Sequence, residues 1–295
     1  MEFEKRRMHL NNVRLRNPYE IPLYIFSVLV NLLIIALILA GALLLGYVNA
    51  LVGEPLSGPM VNVIVAAFVA LLLLVPGLVL YRQLTRAGIR GSAVRLSRRQ
   101  FPDIYAVKDD FARRLELQRD PEIYLMSGNG VLNAFAASTI GYDFIVIHSE
   151  LFSNTYEKNK DALAFIIGHE LGHLRLGHTR LWYQLSTAYV DRVPLLGEFL
   201  SRAREYSCDR HGAYVAPPGE EGLVLLAAGR YVYKQVDTEE LLEQAQQFRG
   251  FWPTLAQLPQ SHPFVVRRIR ALYDLGLFEA PAEKLRSEGV VGAES

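Results

Sequence analysis

Three histidines and a glutamate stand close together in residues 166–178, IIGHELGHLRLGH, where everything else except Arg175 is apolar or glycine. Imidazoles and a carboxylate in such a setting are metal-binding and proton-transfer groups. In a chain with 7 His among 295 residues, the pattern His-Glu-x-x-His arises by chance roughly 0.01 times. On an α-helix, positions i and i+4 share a face, so His169 and His173 can offer two imidazoles to one ion. Glu170 lies about a quarter-turn away, an offset that suits a carboxylate holding a metal-bound water and taking its proton. The plain alternative is a helix of solvated or internally satisfied polar residues. Burying them unpartnered in so apolar a helix would be costly.

A catalytic zinc site needs a third protein ligand and a fourth position left to water. After His173 the chain offers His178, Asp191, Glu198, Glu205, Asp209, His211 and His262. Glu205 and Asp209 are four apart in a segment, 197–215, expected to be helical. One could ligate while the other accepts the outer N–H of a ligating histidine. Against this, Glu205 could sit in an exposed ladder with Arg202 and Arg204, and Asp209 could pair with Arg210 or Arg202. His178, five residues past His173, turns away from the metal-facing side if the helix continues, and Gly177 offers a natural helix end. It is read as structural, and Cys208 as a packing residue.

The elements that must position these groups lie beyond about residue 100. Helical periodicity covers 103–119, and short strands are expected at 121–126, 133–137 and 142–148 (YDFIVIH). The motif helix should open with Asn159 as N-cap. Later helices are expected at 223–233 and 239–249, with Ser261-His262-Pro263 opening a last one to about residue 277. The segment QFRGFWPTLAQLPQ (247–260) clusters Phe248, Phe251 and Trp252, as a lid, a membrane-contact patch or a piece of core.

The N-terminal third has a different composition. Hydrophobic residues form 51% of the chain, and 26 residues from Leu23 to Val48 and 22 from Met60 to Tyr81 carry no charge. Each is long enough to cross a hydrocarbon layer of about 30 Å, and the first is too long for a signal peptide's apolar region. Arginines and a lysine precede the first run and arginines follow the second, while the loop between has neither Lys nor Arg, so both ends should face the cytoplasm. The expected organisation is a cytoplasmic segment (1–20), a two-helix transmembrane hairpin (21–81), an enzymatic domain (82–279) and a mobile tail (280–295). A net charge of +1 gives no reason to expect a nucleic-acid partner. A single cysteine excludes an intrachain disulfide and fits a reducing compartment.

HELGH followed by SRAREYSCDRHGA resembles the HtpX-type and CaaX-prenyl-protease-type zinc metallopeptidases, in which the HExxH helix is followed by one with an E-x-x-x-D pattern. NAFA at 133–136 and SHPFVVRRI at 261–269 are similar to further blocks of that family. The resemblance implies an α+β, mainly helical zincin-type domain with a small β-sheet beside the HExxH helix. It implies one Zn2+ per chain held by His169, His173 and Glu205, with Glu170 as general base and then acid and Asp209 as the carboxylate behind a ligating histidine. Asn133, Ala134, Phe135 and Ala136 would lie along a substrate bound as an added strand, and His262 and Arg268 are candidates for contact with the substrate or its oxyanion. The chain departs from the family at Phe264, where a second proline is usual, and at Cys208, where alanine is. The segment 180–200 is too short and too interrupted for the two later spans of the HtpX type.

The function expected is therefore a membrane-anchored zinc endopeptidase at the cell (plasma or inner) membrane. It would be multi-pass, with its catalytic domain in the cytoplasm, acting on misfolded or membrane polypeptides in quality control, with oligomerisation allowed. Two alternatives stand beside it: a membrane scaffold or regulator with a silent or structural metal site, and a CaaX-type prenyl-protein protease.

Overall fold

The structure is a computed structural model describing residues 15–52, 58–217, 219 and 221–278. Most of the expected cytoplasmic N-terminal segment, part of the loop between the apolar runs and the expected mobile tail lie outside the described residues. Helix α1 spans Glu20–Val52 and α2 Gly58–Ser92, with Pro76 inside it. Strand β1 (Val94–Arg95) leads to α3 (Pro102–Arg114), β2 (Glu122–Met126), β3 (Ala134–Thr139) and β4 (Tyr142–His148). Then follow α4 (Ser149–Tyr156), α5 (Lys160–Leu176), α6 (Leu181–Thr187), a 3-10 turn (Val190–Arg192) and α7 (Leu196–Val215). The chain closes with α8 (Glu221–Ala228), α9 (Thr238–Gln247), α10 (Phe251–Gln257) and α11 (Val265–Tyr273).

The sheet runs β1-β2-β4-β3, with β2 and β4 parallel and the outer pairs antiparallel. The centre of β4, residues 144–147, is uniformly apolar because both of its faces are covered. Ile145 and Ile147 pack into the main core with Leu163, Ile167 and Leu171 of α5, while Phe144 and Val146 join Tyr124 and Ile89 of α2 on the other face. The foot of α2 thus serves as a wall of the domain, fixed there by Arg86 on Glu122 at 3.0 Å. β3 is left as the outer strand, its inner edge paired to β4 from Ala134↔Ile147 to Thr139↔Tyr142.

The motif helix α5 is capped at both ends by its own sequence. The Asn159 side chain accepts the Ala162 N–H at 3.0 Å, satisfying one of the first-turn donors. Gly177 at φ 77° closes the C-terminus, with Gly177 N–H donating to the Leu174 carbonyl and His178 N–H to that of His173, a left-handed stop that glycine adopts at little cost. α5 lies close against α7. A Cβ added at Gly168 would come within 2.5 Å of Val215 Cγ2, and one at Gly172 within 3.2 Å of the Cys208 Cα. Gly212 on α7 is equally tight, 3.0 Å from the Phe165 carbonyl. Glycine in a helix interior costs up to about 1 kcal/mol, and here it allows the two site-bearing helices to approach backbone to backbone.

Several elements differ from the sequence expectation. α3 stops at Arg114, five residues short, because Glu116 takes a left-handed conformation. Residues 149–156 form a helix where none was expected, and 251–257 form another inside the expected lid segment. Phe251 and Trp252 stand in solvent, at 70% and 74% exposure, so the core reading of that cluster does not hold for them. The last helix opens at Val265, and Ser261-His262-Pro263 precede it as a non-helical stretch. Of the two expected spans, α1 over Glu20–Val48 is a helix long and apolar enough to cross a membrane by length and composition. The second coincides with α2, many of whose side chains lie outside the description.

Candidate metal centre

α5 and α7 place the predicted ligands opposite each other. His169 Nε2 lies 3.6 Å from Glu205 Oε2 and His173 Nε2 lies 3.5 Å from Glu205 Oε1. Donors about 2.1 Å from one tetrahedral ion are separated by about 3.4 Å, so each histidine–carboxylate separation is close to that between two ligands of one ion. All three are largely buried, as is Glu170 beside His169. Burial works against ionisation of Glu205, but its hydrogen bonds to His173 and His262 hold it well below the usual carboxylate range.

Cys208 makes a second donor set conceivable. Its sulfur and one nitrogen each of His169 and His173 lie within 4.8 Å of one another, so the residue read as packing also lies beside the two histidines. The two sets differ in charge state. Burial pushes the Cys208 thiol up to about 12, and the thiolate, not the thiol, is the ligating form. Glu205 is already an anion, and its two oxygens face the two Nε2 atoms, so the residues present fit zinc through His169, His173 and Glu205.

Behind these groups the outer contacts are well satisfied. Asp209 Oδ1 accepts from His169 Nδ1 at 3.0 Å, fixing Nε2 as the free lone pair toward Glu205. Asp209 in turn takes two bonds from Arg268, Nε at 2.8 Å and Nη2 at 2.6 Å. Arg268 also lies 3.7 Å from Glu205, so its guanidinium is buried between the two carboxylates and holds them. Asp209 is thus a buried carboxylate bound to Arg268 rather than a surface residue. Arg202 is buried as well, and its Nη1 donates to the carbonyls of Gln257, Leu258 and Gln260 at 3.0, 3.0 and 2.7 Å. The exposed-ladder alternative for Glu205 therefore does not hold. Arg202 instead pins the loop that delivers His262, whose Nδ1 is 3.1 Å from Glu205 Oε2 and whose ring is largely open to solvent.

Three residues at the centre were not assigned to it from the sequence. His178 was expected to turn away, but the left-handed stop at Gly177 folds the chain back. Its Nδ1 comes to 3.1 Å from His173 Nδ1 and 3.8 Å from Cys208 Sγ. Burial lowers its pKa to about 4, so it is neutral at pH 7. Its Nε2 meets Glu20 Oε1 at 3.2 Å, and Glu20 belongs to the first turn of α1. The H-x-x-x-x-H spacing and Gly177 hinted at His178. Nothing local could have pointed to Glu20, 158 residues away. Of the other candidates, His211 Nδ1 meets the Ser207 carbonyl at 2.7 Å and Asp191 accepts from Thr187.

The strand carrying Ala134, Phe135 and Ala136 packs beside α5. Its outer edge faces away from β4, with Asn133 just before it. Ser138 near its far end meets Thr179, one residue past His178, at 2.6 Å.

Comparison with known proteins agrees with this reading of the motif helix. No curated protein matches the chain. Among solved structures it is similar to Ste24p of S. mikatae, at 16% identity over 85% of this chain and 67% of that one, with a TM-score of 0.38. The model of peptidase family M48 matches residues 98–190, a stretch that runs from α3 through the sheet and HELGH and stops short of Glu205. Over residues 98–190, about a third of its length, this chain is similar to peptidase family M48.

Proposed function

We propose that the chain is a membrane-anchored zinc endopeptidase with His169, His173 and Glu205 as ligands and Glu170 as the proton-transfer group. The observation that carries this reading is the pair of Nε2 atoms facing the two oxygens of one carboxylate at 3.6 and 3.5 Å. Zinc bound there would polarise a scissile carbonyl and make water a nucleophile near neutral pH.

The protein's own residues do the remainder. Glu170 takes the proton of the attacking water and returns it to the leaving amide nitrogen. The outer edge of β3 binds the substrate main chain as an added strand, with Asn133, Ala134, Phe135 and Ala136 along it. Asp209 keeps the His169 proton on Nδ1, and Arg268 keeps Asp209 ionised. His262, on the open side of Glu205, can donate to the developing oxyanion, whereas the buried Arg268 is occupied by its carboxylates. α1 and α2 would anchor the domain at the cytoplasmic face, where exposed loops of membrane polypeptides are within reach.

Metal removal tests the proposal. Full-length protein in detergent, stripped with a chelator, should lose casein cleavage and regain it with stoichiometric Zn2+. Cleavage of a prenylated peptide but not of casein would replace this reading with the prenyl-protease one, and cleavage unaffected by the chelator would sink both.

A further inference from the structure

Each ligating histidine needs its outer N–H fixed, and the two are served differently. His169 donates directly to Asp209, whereas His173 Nδ1 meets another imidazole at 3.1 Å. If His173 presents the lone pair of Nε2 to a metal, its proton is on Nδ1 and must be donated. His178 Nδ1 is then the acceptor, which puts the His178 proton on Nε2, 3.2 Å from Glu20 Oε1. Every link fits one arrangement: Glu20 carboxylate, His178 Nε2–H, His178 Nδ1 lone pair, His173 Nδ1–H, His173 Nε2 free. A protonated His178 would set two N–H groups against each other.

The far end of this line is also fixed. Glu20 is 2% exposed and His178 5%. The second oxygen of Glu20 accepts from Ser207 Oγ, Arg16 Nε lies 3.1 Å from the first, and the Asn17 N–H donates to Ser207 Oγ at 2.9 Å. A buried carboxylate with these partners and the first turn of α1 as its backbone is more than is needed to anchor a helix. α1 is held elsewhere by Tyr24 stacked on Tyr183 at 4.5 Å and by Asn31, which accepts the Tyr189 N–H at 2.9 Å.

We infer that Glu20, acting through His178, is a positioning residue of the metal centre: a carboxylate from the N-terminal apolar helix sets the tautomer and orientation of His173. The inference rests on the metal-site reading above. It makes α1 a structural part of that site, so that shifting the helix weakens the hold on the ion even where the catalytic domain is intact.

The test uses full-length protein in detergent and measures Zn2+ affinity by chelator competition, with the visible spectrum of the Co2+-loaded protein as a second readout. His178→Phe should weaken Zn2+ binding by roughly 10–100-fold and alter the Co2+ bands, as loss of an outer-shell partner does. His178→Gln, which keeps an acceptor for the His173 N–H, should recover part of that loss, and Glu20→Gln should fall between. Asn31→Ala removes a contact between α1 and the domain that has no link to His173 and should leave affinity and spectrum unchanged. Wild-type affinity and bands in His178→Phe and Glu20→Gln would overturn the inference, as would an equal loss in Asn31→Ala, which would reduce the line to helix docking. Absence of Zn2+ binding by the wild type would instead refute the metal-site reading and the inference with it.

Discussion

At the scale of single residues the site consists of few donors, each held by a named partner, and this makes substitutions discriminating. Glu205→Ala should abolish stoichiometric zinc, while Cys208→Ala should retain it, since Glu205 is already ionised and burial keeps the thiol protonated. Metal analysis of the two purified variants separates the donor sets, and the reverse pattern would assign the site to the thiol. Asp209→Ala removes both hydrogen bonds of the buried Arg268 and leaves it only Glu205 at 3.7 Å; breaking a buried pair in this way costs about 3–5 kcal/mol, read as a large drop in unfolding midpoint. That His169 and His173 share a helix face, and Glu205 and Asp209 another, was legible in the sequence from i, i+4 spacing, while which of the two carboxylates would meet the histidines came only from the resemblance. The places of Glu20 and Cys208 were not legible. The first depends on how the start of α1 meets the turn after α5, and the second on how closely α5 and α7 approach.

At the scale of elements, the close approach of α5 and α7 rests on Gly168, Gly172 and Gly212. Gly168→Val should lower stability by about 1–3 kcal/mol through overpacking, exceeding the propensity gained by removing a helical glycine, as thermal unfolding would report. The loop between β2 and β3 depends on Glu150, whose carboxylate accepts the N–H groups of Gly128 and Gly130, both at 2.9 Å. Those bonds lower its pKa from 4.5 to about 2. A depressed carboxylate contributes stability that is present above 4.5 and is lost as pH falls through about 2. Glu150→Gln should therefore be less stable than wild type at pH 6, with the difference shrinking toward pH 2. A constant difference across that range would exclude the carboxylate as its source. β2, β3 and β4, though not the short β1, and the caps of α5 were readable from apolar runs and from Asn159 and Gly177. The end of α3, the helix at 251–257 and the late start of α11 were not, because tertiary contacts such as Arg202 on the 257–260 carbonyls override local propensity there.

At the scale of the whole molecule, the two N-terminal apolar helices meet the rest of the chain through specific side-chain contacts. The foot of α2 completes the second face of the sheet, and the first turn of α1 reaches the metal centre through His178. The basic flanks of the apolar runs predict the domain in the cytoplasm. In intact cells Ala50→Cys, at the far end of α1, should be labelled by a membrane-impermeant maleimide, and Arg119→Cys, on the exposed surface of the domain, only after permeabilisation. The wild type should be silent because Cys208 is fully buried. The opposite pattern would invert the topology. The two apolar runs were plain in composition, but their role as walls of the domain was not, since it depends on a handful of polar contacts at the ends nearest the domain.

The central claim, that the HELGH helix is a catalytic zinc centre with Glu170 as its proton-transfer group, is tested most directly by zinc content measured alongside casein cleavage for the wild type and Glu170→Gln. Both proteins should hold about one zinc per chain, and only the wild type should cleave, the variant losing at least the roughly 10²–10⁴-fold that general acid–base catalysis contributes. Equal cleavage by the two, or wild-type protein prepared without chelators that holds no zinc, would contradict it.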